Sequence, residues 1–344
     1  MKKRRVVVAL SGGVDSAAAA ALLLKEGYRV EAITMDTGYA SVSGAVAVAE
    51  RLSVPIRVVD LRREFEELVV RPTLEYYQRL LTPNPCAWCN LHLKFGLLAE
   101  EAFQRAGLYA TGHYACLERQ GEGVSLRESP SPDASSQSYF LALVPKERLK
   151  GVLFPLCGRS RTYAEVVVKG LGVPVRGGKS QDLCFLPSGG IADFLASRRV
   201  KISPGNVVDT SGRVLGTHRG LHLYTLGQRR GVGAGGTSSR RYVVGFHPER
   251  SELVVGSREE AVSKEVWVSS PNWVSSPPVA GEEVTIRLRY RQRGVEATVL
   301  SVEDNCTRLS LCRPEVVVPG QLAVLNRGEE VLGGGEIEKP LAVR

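Results

Sequence analysis

Residues 4–10 (RRVVVAL) open with two arginines and continue as a short apolar, mostly β-branched run, which reads as a strand buried on both faces, as in a parallel sheet. A glycine-rich turn and an Ala/Leu-rich helix follow. Further along come a strand near 29–34 (RVEAIT), a helical Ala/Val-rich stretch near 43–52, a strand at 55–60 (PIRVVD) and a helical pattern from 63 to about 80. A helix after Asn90 and a strand near 108–111 complete the series. This alternation predicts an α/β fold with a doubly wound parallel sheet. Residues 114–129 predict a hairpin folded on Gly121-Glu122-Gly123, and 137–172 return to helix.

From about 187 the chain becomes glycine-rich and β-prone, with turn signals every few residues, so 187–266 reads as a small separate module. After Ser269-Ser270-Pro271 the stretches EEVTIRLRYRQ, VEATVLSVED, TRLSLCRP and QLAVLNRGEEVLGGGEI alternate as strands of a small β-barrel or sandwich. The expected modules are 1–186, 187–266 and 267–344. A length of 344 residues agrees, since single cores rarely grow past roughly 250 residues.

Charge changes the picture modestly. The net charge is +9, divided as +5, +5 and −1 over the three modules, which favours a polyanionic partner touching the first two. No run of about 18 apolar residues occurs, and MKKRRVVVAL passes into a strand without a cleavage-site pattern, so a cytoplasmic protein without membrane attachment is expected. Seven cysteines in such a chain point to thiol, metal or redox chemistry rather than a disulfide framework.

The turn SGGVDS (11–16) stands between the first strand and the first helix. Its glycines let backbone approach an anion, and the amides of the helix N-terminus favour phosphate. The lysine of a GxxxxGK[ST] loop is missing, as is GxGxxG. A plain helix start with a solvated Asp15 would use the same residue types, but the strand–turn–helix setting favours a nucleotide.

Read together, SGGVDS, TPNPCAWCN (82–90), ATGHYA (110–115), KSQDLCFLP (179–187), LYTLGQRRGVG (223–233), RLRYR (287–291) and PGQ (319–321) resemble, in order and over nearly the whole chain, the bacterial tRNA-specific 2-thiouridylases. The resemblance implies a PP-loop domain of the adenine nucleotide α-hydrolase type, a small central domain and a C-terminal β-barrel. It implies a tRNA-uridine 2-sulfurtransferase: ATP adenylates the 2-oxygen of the wobble uridine, pyrophosphate leaves, and sulfur then replaces the activated oxygen. By the same resemblance Ala9, Leu10, Ser11, Gly12, Gly13, Val14, Asp15, Ser16, Met35 and Gly112 contact ATP, and Asp15 orients Mg2+ or water.

Cys89 matches the family's cysteine before Asn, and Cys184 its second cysteine. A nearby helix start near Asn90 is expected to lower the Cys89 pKa. Cys86 stands where many members have Asp. Cys86, Cys89 and Cys184 are therefore read either as three ligands of a 4Fe-4S cluster or, for Cys89 and Cys184, as a persulfide relay fed by a sulfur donor or a cysteine desulfurase relay protein. A zinc site completed by His92 or His113, a disulfide, or inert packing are further readings. Cys116, Cys157, Cys306 and Cys312 are expected to be buried small apolar residues. Contacts to the tRNA anticodon loop fall by resemblance on Asn84, Pro85, Cys86, His113, Gln137, Arg289, Tyr290 and Gln321. Arg229, Arg230, Arg240 and Arg241 supply phosphate-binding charge, while the arginines of 287–293 equally suit one solvated strand face.

Two departures stand out. Ser135-Ser136 replace Lys-Asp before Gln137, and the segment after MDTG (35–38) is short. Two other functions compete: a PP-loop ligase or amidotransfer enzyme acting on a small metabolite, and a non-catalytic RNA-binding module. The basic charge, the cysteine pair and the barrel speak against the first, and the intact SGGVDS and Cys89 against the second.

Overall fold

The structure is a computed structural model and describes residues 4–121, 123–131, 136–172, 183–233 and 240–338. The first module runs β1 (Arg5–Ala9), α1 (Val14–Lys25), β2 (Arg29–Asp36), α2 (Ser43–Arg51), β3 (Ile56–Asp60), α3 (Arg62–Phe65), a wide π-type turn (Glu66–Val70) and α4 (Arg71–Gln78). Then come α5 (Pro85–Trp88), widened turns over Cys89–Leu97, α6 (Leu98–Phe103), β4 (Tyr109–Ala110), the hairpin β5 (Cys116–Gln120) and β6 (Gly123–Arg127), β7 (Val152–Leu153) and α7 (Arg161–Gly170). The sheet order is β3-β2-β1-β4-β7, with every neighbouring pair parallel.

The two-sided burial expected of β1 is real. Val7 packs with Ile33, Phe95 and Tyr109 on one face, while Val6 and Val8 pack with α1, α2 and α7 on the other. Five successive alanines, 17–21, are all buried, so α1 lies close to the sheet. The order places β1 and β4 side by side at the sheet's switch point, where open α/β sheets bind ligands beyond their strand ends.

Past α8 (Gly190–Ser197), the central module is a four-stranded sheet of β8 (Gly205–Asp209), β9 (Val214–His218), β10 (Tyr242–His247) and β11 (Glu252–Gly256), ordered β10-β11-β8-β9. The last comprises β12 (Ser263–Trp273), β13 (Glu283–Arg287), β14 (Val295–Glu303), β15 (Cys306–Glu315), β16 (Leu322–Arg327) and β17 (Glu330–Glu338). Here β12 pairs with both β15 and β17, which closes the barrel around Val266, Ile286, Leu309 and Leu325.

Three expectations are corrected. Residues 137–172 are not a continuous helix: two short 3-10 turns, Ser138–Leu141 and Lys146–Leu149, precede β7, because Pro145 and the left-handed Gly151 interrupt the run. The 287–293 stretch is not one strand face either, since β13 ends at Arg287 and Arg291 has φ of +67°. Arg287 is 7% exposed, its guanidinium 2.9 Å from Glu128 and donating to Ser138 Oγ at 3.1 Å. Finally, Cys116 and Cys157 form a disulfide with Cα atoms 4.9 Å apart, while Cys306 is half-buried and Cys312 exposed. The chain after β7 returns beside the start of β5, a tertiary approach that a spacing of 41 residues does not announce.

The hairpin β5–β6 forms as expected, yet β6 pairs with β17 of the barrel. Val274, Leu322, Val324 and Val331 of the C-terminal part also belong to the core around Phe95, Tyr109 and Tyr139. The barrel thus completes the first module's core. Among the described residues no helix is long and apolar enough to cross a membrane.

Candidate active site

The phosphate turn is built by packing as much as by glycine's freedom. Gly12 has φ of +79°, and a Cβ there would sit 2.6 Å from the Gly44 carbonyl carbon at the start of α2. Its bareness thus seats α2 against the turn. At Gly112, just past β4, a Cβ would lie 2.6 Å from the Asp15 carbonyl carbon, so the end of β4 meets the first turn of α1 backbone to backbone. The Ser11 amide donates to Ser16 Oγ at 3.1 Å, and that hydroxyl donates to Gly13 O at 3.0 Å. The Asp15 carboxylate accepts a hydrogen bond from the Tyr114 hydroxyl at 2.8 Å and lies 3.9 Å from the Arg161 guanidinium. Ala9, Leu10, Ser11, Gly12, Gly13, Val14, Asp15, Ser16 and Gly112 therefore form one rim at the switch point. Met35, near the end of adjacent β2, packs between the core beneath that rim and the cluster around Cys89.

The cysteine region begins at Asn84, whose side-chain oxygen accepts from the Ala87 amide at 3.3 Å. Asn-Pro is an N-cap followed by proline at the first helical position, so the helix starts at Pro85 and not near Asn90. Cys86 falls in its first turn and Cys89 in its second. Beyond Cys89 the turns widen, and Arg148 donates to the Leu91 carbonyl at 2.8 Å, satisfying an acceptor in the irregular stretch.

Cys89 is buried among Phe65, Leu93, Phe185 and Phe194. Phe185 is also buried, its ring centroid 5.9 Å from Phe65 and 5.5 Å from Phe194, and this anchoring brings the adjacent Cys184 to the same region. The Cys86, Cys89 and Cys184 thiols feel one another, and the Lys94 ammonium acts on all three. Burial pushes Cys89 up to about 11 despite Lys94. Cys86 and Cys184 are raised by the same cause; solvent reaches both residues, yet protein crowds each sulfur. The expectation of a lowered Cys89 pKa is corrected: the apolar wall outweighs the cation, and the helix start lies a turn away.

The donor chemistry of these thiols suits iron or zinc, but a single-ion site is not formed: among the described residues no three Cys, His, Asp or Glu side chains are grouped as the donors of one ion. His113 is buried, its Nδ1 2.8 Å from Thr111 Oγ1 and its ring 5.6 Å from Phe95, and burial holds its pKa well below the usual range. Residues 179–182 of the second cysteine motif, and Ser135, lie outside the described residues.

The residues assigned to RNA by resemblance divide in two. Asn84 and Pro85 are buried in the helix start and His113 in the core, while Cys86 and Arg289 face solvent. Gln137 exchanges two hydrogen bonds with the Tyr114 backbone, at 3.0 and 2.7 Å. Tyr290 packs against Phe140 in a tilted contact with centroids 4.4 Å apart. Gln321 of the barrel donates to the carbonyls of Thr82 and Pro83, both at 3.0 Å, and so fixes the loop that leads into the cysteines. Beside it a recess of about 440 Å³ opens between the helix and the barrel, lined by Asn84, Trp88, His92, Gln321 and Glu336. Three residues escaped the sequence reading. Tyr114 was overshadowed by its neighbour His113, Lys94 stands five residues after Cys89 and so off the face that regular helical spacing would give it, and nothing in sequence marked Arg161.

Family models match three consecutive pieces of the chain. Residues 4–188 match the tRNA methyl transferase HUP domain, 192–257 the tRNA methyl transferase PRC-barrel domain, and 263–337 the aminomethyltransferase beta-barrel domain. The chain is 37% identical over 346 residues to the tRNA-specific 2-thiouridylase MnmA of Trichlorobacter lovleyi, covering 97% of each chain. It is 39% identical over 368 residues to the protein of that name from Thermus thermophilus, covering 98% of this chain and 96% of that one. With its counterpart in Nitratidesulfovibrio vulgaris it shares 39% identity over 345 residues, covering 98% and 99%. The expected architecture of PP-loop sheet, central domain and closed C-terminal barrel agrees with both the matches and the coordinates.

Proposed function

This chain belongs to the tRNA-specific 2-thiouridylase family, and we propose that it replaces the 2-oxygen of the tRNA wobble uridine with sulfur in an ATP-dependent reaction. The observation that carries the reading is the pairing of a phosphate turn at the switch point with Cys89 and Cys184 in one aromatic-walled region. Family-model descriptions mention methyl transfer, but a phosphate turn and paired thiols answer to ATP and sulfur chemistry.

In this reading the rim from Ala9 to Ser16, with Gly112, binds ATP, and Met35 links it to the cysteine region. The uridine 2-oxygen attacks the α-phosphorus and pyrophosphate leaves. Sulfur carried as a persulfide on Cys184 or Cys89 then attacks C2, and AMP departs with the former oxygen. The other cysteine's thiolate then attacks the Sγ of the carrier, the S–S bond to the transferred sulfur breaks and leaves that sulfur on C2, and the Cys89–Cys184 disulfide so formed is returned to two thiols by a thiol reductant. The apolar wall around Cys89 keeps water from that side of the site, while Cys184 stays open to solvent. Lys94 stabilises whichever thiolate forms.

A cysteine desulfurase relay protein is the partner class this chemistry requires. Cys86, Cys89 and Cys184, whose thiols lie within electrostatic reach of one another, would be the three ligands if the sulfur were instead supplied through a 4Fe-4S cluster. Asp15, held by Tyr114 and Arg161, would orient Mg2+ or water beside the phosphates. Gln321, Arg289, Tyr290 and Gln137 form the tRNA-facing set, with module limits near 186 and 266 and the cytoplasm as the setting.

The test is pyrophosphate release measured with and without tRNA. Release that requires tRNA and matches 2-thiouridine formation is expected. Release indifferent to tRNA contradicts the proposal and favours a small-metabolite substrate.

A further inference from the structure

Asp15 is held from two sides by segments remote in sequence. Tyr114, 2% exposed, donates its hydroxyl to one carboxylate oxygen at 2.8 Å, and the Arg161 guanidinium lies 3.9 Å from the other. Tyr114 stands just before Cys116, and Arg161 just after Cys157. The disulfide between those cysteines therefore ties together the two segments that grip Asp15. Hydrogen bonds reinforce both ends: Gln137 holds the Tyr114 backbone, and Ser129 Oγ accepts from the Gly158 amide at 3.0 Å. Cys157 is exposed, so a soluble thiol reaches the bond.

We propose that Tyr114 and Arg161 are positioning residues for Asp15, and that the Cys116–Cys157 disulfide sets how firmly they hold it, so that ATP binding responds to the redox state of this pair. The inference rests on the reading of the turn as an ATP site. In reduction, one thiolate of a dithiol reductant attacks the Cys157 sulfur and the Cys116 thiolate leaves and takes up a proton. The second thiol of the reductant then resolves the mixed disulfide. Two electrons pass to the protein, which gains two thiols, and the reductant becomes a disulfide. Each gripping segment then keeps only its own non-covalent contacts.

The test titrates the full-length protein with a non-cleavable ATP analogue before and after dithiothreitol, with thiol labelling to follow Cys116 and Cys157. Reduction is expected to weaken binding about fivefold, the yield of roughly one hydrogen bond, and reoxidation to restore it. Cys157→Ser should bind like the reduced protein and ignore the reductant. Tyr114→Phe should bind more weakly and lose most of its response, because the route through the phenol is already cut. If reduction lowers thermal stability but leaves analogue affinity unchanged, the disulfide is only structural and the proposal fails. It fails equally if Tyr114→Phe responds as fully as the wild type, or if both thiols are free in untreated protein. Absence of analogue binding to untreated wild type overturns the ATP reading itself, whereas binding without a redox response overturns this inference alone.

Discussion

Cys89 sits where the interior keeps a thiol protonated, and its burial among Phe65, Leu93 and Phe185 raises its pKa from 9.0 to about 11. Alkylation of Cys89 should therefore be slow at neutral pH and accelerate as the pH rises toward 11, and Lys94→Met should slow it further by removing the cation that favours the thiolate. Mass-spectrometric labelling rates give both results. Stability has a matching sign. Between pH 9 and about 11 the unfolded thiol loses its proton first, so the contribution of Cys89, about 3 kcal/mol, is full below that window and falls through it. Gly12 and Asp15 separate fold from chemistry. Gly12→Val meets α2 backbone at a left-handed φ and should lower stability by about 2 kcal/mol or more in denaturant titrations. Asp15→Ala should fold normally and lose tRNA-dependent pyrophosphate release, which makes it the cleaner probe of the turn. The glycines were legible as a tight turn between strand and helix, but the seating of α2 on Gly12 was not, because the partner backbone lies some thirty residues away.

The strand β1 shows what a local pattern reveals. Its unbroken apolar run meant burial on two faces, and the structure divides its residues between two cores. The start of the cysteine helix was equally readable from Asn84-Pro85, though the reading placed it one turn late. Asn84→Ala should cost about 1 kcal/mol through loss of the cap, and should disturb Cys86 and Cys89 together, seen as a parallel change in their labelling rates. The stretch 137–172 was misread because its apolar residues serve short turns wedged against the barrel, where tertiary contact and not periodicity sets the backbone. Tyr139, for example, donates its hydroxyl to the Leu322 carbonyl at 2.7 Å. The disulfide was hidden for the same reason, its two cysteines standing 41 residues apart.

As a whole the molecule joins an ATP-type sheet to a barrel through shared core, through Gln321 on the Thr82-Pro83 carbonyls and through the bond from Tyr76 to Glu336. Module order was visible in sequence, but this joint was not, since each half of it reads as an ordinary surface. The basic excess of the first two modules predicts that tRNA affinity falls steeply with salt, and that Arg229→Ala with Arg230→Ala flattens the slope of log affinity against log salt by about 1 to 2. Fluorescence titrations across a salt series measure it. The most direct measurement of the proposed chemistry is single-turnover thiolation by iron-free protein supplied with tRNA, ATP and a persulfide donor, counting 2-thiouridine against pyrophosphate. A ratio near one is expected for wild type, with substantial product from Cys86→Ser and none from Cys89→Ser or Cys184→Ser. Product that forms only after iron and sulfide are restored, together with an inactive Cys86→Ser, would contradict the two-cysteine relay.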